Sequence, residues 1–69
     1  MVEVFKTNVH SSIIANEIIA ELNTVLPNSA ISFDLEDCDR VLRIESKSIP
    51  LLRVIQALKQ RGFSCEELE

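Results

Sequence analysis

AISFDLEDCDRVLRIE, residues Ala30 to Glu45, is the stretch whose pattern decides the fold. Ile31, Phe33 and Leu35 alternate with Ser32 and Asp34; beyond the polar segment Glu36 to Asp39, Leu42 and Ile44 alternate with Val41, Arg43 and Glu45. A side-chain period of two belongs to a strand with one buried face. The runs Ala30 to Leu35 and Arg40 to Glu45 therefore form strands two and three of a hairpin. A lone hairpin is marginal in water, so its apolar face needs a cover.

The flanking segments supply that cover. On the N-terminal side, Ser11 and Ser12 can cap a helix with apolar residues Ile14, Ala15, Ile18, Ile19, Leu22, Val25 and Leu26. These recur at three- and four-residue intervals until Pro27 stops the helix, and Pro27-Asn28-Ser29 forms the turn into the hairpin. On the C-terminal side, Ser48 and Pro50 suit a helix start, and Leu51, Val54, Ile55 and Leu58 form its buried stripe. Lys59, Arg61 and Gly62 complete a helix end.

Outside the helices lie two more alternating runs. Val2 to Val9 places Phe5, Thr7 and Val9 on one face and Val2, Val4 and Lys6 on the other, as strand one. Phe63 to Glu67 has the length of a short edge strand. With right-handed crossovers this order predicts an α+β, ferredoxin-like βαββα(β) sandwich, one antiparallel sheet with two helices on one face. The turn from strand one to helix one, the hairpin turn and the turn after helix two then gather at one edge, where function is sought.

Length and composition agree with one domain. A chain of 69 residues buries only about 60% of the surface its unfolded form exposes, and a hydrophobic content of 46% with 26% charged residues is that of a globular fold. Apolar runs such as Ile49 to Leu52 fall far short of a membrane span. No basic, apolar and small-residue series marks a secretory signal, so a cytoplasmic location is expected. A formal charge of −4 disfavours nucleic acid, where Lys and Arg must displace counterions, and favours a basic partner surface. Leu68 and Glu69 have the look of a vector-derived tail and carry no weight in this reading. Cys38 and Cys65, separated by 26 residues, match neither a disulfide framework nor a zinc-ligand spacing. Both are expected as free, partly buried thiols, since free cysteine behaves as a small hydrophobe, with a disulfide between them as the minority reading.

Three stretches carry a family resemblance. Phe5 to Val9 resembles the first strand of small bacterial copper-chaperone-like members of the heavy-metal-associated family, and Asp39 to Ile44 resembles their third strand. Val54 to Phe63 is similar to their second helix and its Gly-aromatic end. The resemblance covers nearly the whole chain and implies the same ferredoxin-like fold. In that family a Met-x-Cys-x-x-Cys motif between the first strand and helix binds Cu(I) through two thiolates. Here the turn reads Val9-His10-Ser11-Ser12-Ile13-Ile14, with Ser11 at the first cysteine position and Ile14 at the second. Neither residue is a soft-metal ligand, so the family's metal transfer is not expected to carry over.

His10 could still donate an imidazole nitrogen, alone or with Cys38 or Cys65, although a competent site needs three or four converging donors. No metal or other cofactor is expected. Asp34, Glu36, Asp37 and Asp39 lack the glycine and distal carboxylate of a calcium loop and read as a solvated acidic turn or a docking patch. The residues offer no nucleophile, base and orienting group for an enzyme. The first turn lacks the arginine cradle of acylphosphatases, and the aromatics Phe5, Phe33 and Phe63 fit the core rather than an RNA platform.

Val2, Val4 and Val41 fall on the helix-free face of adjacent strands one and three, where an apolar patch can mark a homodimer or partner interface. The leading expectation is a non-catalytic protein-interaction or regulatory module using that face or the hairpin at Asp37 and Asp39. The alternatives are a metal-binding protein with an altered ligand set that includes His10 and a cysteine, and a small anionic metabolite held at the start of helix one.

Overall fold

Six elements follow one another in the computed structural model, which describes residues 1–68. They are β1 (Val2–Thr7), α1 (Ser12–Val25), β2 (Ala30–Asp34), β3 (Val41–Glu45), α2 (Leu51–Gln60) and β4 (Cys65–Glu67). The strands form one antiparallel sheet in the order β2-β3-β1-β4. Both helices pack against each other and on the sheet, giving the expected α+β ferredoxin-like sandwich. The hairpin β2-β3 inserts β3 beside β1, which is why β1 and β3 are central and β2 and β4 are edges.

The core lies where the alternation placed it. Phe5, Leu42 and Ile44 from the sheet, Ile18 and Leu22 from α1, and Val54 and Leu58 from α2 are all buried. The β1-β3 register sets Phe5 directly opposite Leu42. Removing each such side chain from water stabilises the fold by about 1.5–3 kcal/mol.

Helix ends explain where α1 and α2 begin and stop. The Ser11 hydroxyl accepts from the Ile14 N–H at 3.4 Å, and its carbonyl accepts from Ala15 at 2.9 Å. This is the expected N-cap. At α2 the cap is Pro50 rather than Ser48, with no side-chain bond; the Arg53 and Val54 N–H groups reach the Pro50 carbonyl at 3.0 and 3.2 Å. At the other end Gly62 donates to Lys59 and Phe63 to Leu58, at 2.9 and 3.0 Å, the paired bonds of a Schellman ending. Gly62 sits at φ +87°, and a Cβ there would meet nothing within 4 Å, so glycine is required by conformation rather than space.

The strands are shorter than their alternating patterns, for identifiable reasons. Val9 is buried, but its N–H bonds to the Thr7 hydroxyl at 3.3 Å and leaves the ladder. After Asp34 the chain turns because that carboxylate accepts from the N–H groups of Glu36 and Asp37. Arg40 has φ +46°, a left-handed conformation that delays β3 to Val41. The Phe63 N–H belongs to the end of α2, so β4 starts at Cys65. Among the described residues no helix is long and apolar enough to cross a membrane.

Candidate functional site

The expected gathering of three turns at one edge is present, and polar side chains bind it together. Thr7, only 4% exposed, donates its hydroxyl to the Arg40 carbonyl at 2.5 Å, and its N–H donates to the Asp39 carbonyl at 2.9 Å. Asn8 accepts the Ser64 N–H at 2.8 Å, fastening the turn after α2 to the end of β1. The alternation put Thr7 on the inner face without revealing its partners. A threonine on an otherwise apolar buried face was the available signal, because a buried hydroxyl needs a hydrogen bond.

Within this edge the two positions matched to the family's cysteines have structural roles. Ser11 caps α1, and Ile14 is half-buried against the core. His10 is exposed, with Nδ1 3.4 Å from the Asn8 carbonyl and its ring edge-on to Phe63 at a centroid separation of 6.4 Å.

Cys65 is buried opposite Thr7, and burial pushes its thiol up to about 11 despite the opposing charge of Lys59. It is therefore protonated at neutral pH, the form that neither attacks nor ligates well. Both cysteines are free, but Cys38 is exposed rather than partly buried, because it sits in the hairpin turn beyond the cover of the helices.

The Cys38 donor atom lies with those of Asp37 and Asp39, all within 4.8 Å of one another. Among the described residues this is the one group of three or more metal-ligating side chains that converges, and neither His10 nor Cys65 joins it. Its carboxylates already have partners. Asp37 accepts the Asp39 N–H at 2.8 Å, and Asp39 lies 3.8 Å from the Lys6 ammonium. With Asp34 holding Glu36 and Asp37, the acidic residues shape the turn. Arg40 closes it by donating to the Leu35 carbonyl at 3.0 Å.

The helix-free face is open. Val2 is 47% exposed, and Val4 and Val41 are half-exposed. They do not form an uninterrupted patch: Val2 is opposite Glu45, Val4 is opposite Arg43, and Val41 is opposite Asp34. Half-buried Leu68 donates its N–H to the Val4 carbonyl at 2.8 Å and so extends the ladder next to that valine. Glu69 lies outside the described residues.

Two features were not anticipated from the sequence. Glu67 has its carboxyl raised above the ordinary value, through a hydrogen bond and charge repulsion from Glu3. A cleft of about 340 Å³ opens at the opposite end of the sheet, between the Val25–Asn28 turn and the Ser46–Ser48 loop, away from every expected site residue.

No family model matches the chain, and neither a curated protein nor a solved structure matches it.

Proposed function

We propose that this chain is a non-catalytic domain of the heavy-metal-associated type that acts by protein contact, as an interaction or regulatory module. The observation that supports it is the use made of the first turn. Ser11 is committed to capping α1 and Ile14 to the core, so the two positions that would hold a soft metal serve the fold. The open face around Val2, Val4 and Val41 and the hairpin at Asp37 and Asp39 remain as contact surfaces. Two free cysteines fit a reducing cytoplasm.

The test is affinity capture with the native chain, followed by binding measurements on each purified partner. Paired substitution of Val4 and Val41 by Lys, or charge reversal at Asp37 and Asp39, is expected to abolish binding. A partner set unchanged by both variants overturns this reading.

The altered-ligand reading draws support from Cys38 among the donors of Asp37 and Asp39. In an anaerobic amide NMR titration of the reduced chain with Cu(I), Zn(II) and Ni(II), saturable shifts at Asp37, Cys38 and Asp39 abolished by Cys38→Ser would support a site at the hairpin, and accompanying shifts at His10 abolished by His10→Ala a ligand set that includes the imidazole. The contact-module reading predicts no saturable shift.

A further inference from the structure

The two edges of the sheet are guarded differently. β4 has three residues, two of them glutamates, and short charged edges resist pairing with another chain. β2 has five residues, AISFD, with no proline, lysine or glycine to blunt it.

The free backbone groups of β2 follow from the ladder. Met1 and Ser46 exchange both hydrogen bonds across the β1-β3 pair, at 2.7 and 2.9 Å. Such exchanges recur at alternate residues of an antiparallel pair, so Ile44 and Leu42 bond toward β1, while Glu45, Arg43 and Val41 bond toward β2. Their β2 partners are Ala30, Ser32 and Asp34. The N–H and C=O groups of Ile31 and Phe33 therefore point outward, with no strand among the described residues to receive them. Their side chains, on the helix side, are only half-buried.

The flank of α1 above this edge continues its character. Ser12, Asn16, Ile19 and Asn23 recur at four- and three-residue intervals and carry no charge; Ile19 is half-buried and the others are exposed. The charges of α1, Glu17 and Glu21, lie on its other flank, where both meet Arg61 at the end of α2, at 3.2 and 2.9 Å.

We propose that β2 is the contact strand of a homodimer, pairing antiparallel with β2 of a second copy about a two-fold axis at Ser32. In this register Ile31 lies opposite Phe33 of the other copy, and the outward N–H and C=O groups of both residues are satisfied. The half-buried Ile31 and Phe33 side chains become cross-strand neighbours, a favourable apolar pair. Ser32 meets its twin in a non-hydrogen-bonded pair, with Cα atoms about 4.5 Å apart. Antiparallel pairing also puts Asp34 opposite Ala30 of the other copy, so the acidic hairpins occupy opposite ends of the interface instead of repelling. A second copy fits this edge because the strand is complementary to itself about Ser32. The interface is the edge of β2, which borders the open sheet face at Ser32, and the inference stands on the unpaired backbone groups of Ile31 and Phe33 rather than on the contact-module reading.

Sedimentation and light scattering of the full chain, from micromolar to millimolar concentration, are expected to show a species of twice the 7.8 kDa chain mass. Amide exchange at Ile31 and Phe33 should slow as that species forms. Ser32→Lys opposes two like charges at the axis and should weaken self-association by about tenfold or more; an equimolar mixture with Ser32→Glu should restore it as a heterodimer. Should the lysine variant fold poorly beside Arg43, Ser32→Lys combined with Arg43→Gln sets the same repulsion at the axis without a like charge on the neighbouring strand. A monomer at every concentration overturns the proposal while leaving the contact-module reading intact. A dimer that ignores both substitutions, or leaves Ile31 and Phe33 in fast exchange, overturns it in favour of another surface.

Discussion

The two faces of β1 carry similar residues and do different work. On the helix side Phe5 and Thr7 are buried, one inside an apolar cluster and the other bonded to the hairpin. On the open side Val2, Val4 and Lys6 alternate with them along the same six residues and touch no helix layer. Valine is as apolar as anything in the core, so its exposure here is a matter of which face the helices cover. The contrast separates residues that make the domain from residues left free to make contacts.

The sharpest way to break the comparison is Phe5→Ala. Loss of a fully buried aromatic directly opposite Leu42 in the sheet should destabilise the chain by about 3–5 kcal/mol in urea unfolding. A much smaller loss would mean that the inner face is loosely packed. Thr7→Val keeps the shape but removes the donor to the Arg40 carbonyl and the acceptor for Val9. Unfolding should show a loss of about 1–3 kcal/mol, because buried partners are left unsatisfied.

Glu3→Gln addresses the acidic pair at the margin of the inner face. The Glu67 carboxyl is raised in the folded chain by Glu3, so the folded state holds its proton to higher pH than the unfolded state does. Ionising Glu67 therefore costs stability as pH rises through the folded value, and this cost disappears at pH below the unfolded value. The variant should melt slightly higher than the parent at neutral pH and lose that advantage in acid, as read by thermal melts across pH. Val41→Thr, on the open face, should change stability by less than about 0.5 kcal/mol. A larger loss would show that the open face contributes to the fold and would weaken its assignment as a contact surface.

The legible parts of the site follow the same division. Ser11 was readable as a cap because its place before an apolar period of three and four is a local signal. Asp34 and Asp37 are exposed, as a solvated turn requires; that Asp34 also accepts two turn N–H groups and Asp37 one is visible only once the chain direction is known. The closeness of Cys38 to Asp37 and Asp39 also depends on the turn. The repulsion of Glu3 and Glu67 joins residues at opposite ends of the sequence, beyond the reach of any local pattern.

By itself the sequence determined the order of elements, the inner and outer residues of β1, β2 and β3, and the cap of α1, because these depend on periods of two and 3.6 and on bonds between near neighbours. Only the tertiary structure decided that Thr7 and Asn8 tie three turns together, that Cys65 is a high-pKa thiol, and that Ile31 and Phe33 present free backbone groups at an edge. Burial, long-range hydrogen bonds and edge position are properties of neighbours, and the neighbours of these residues are brought to them by the sheet.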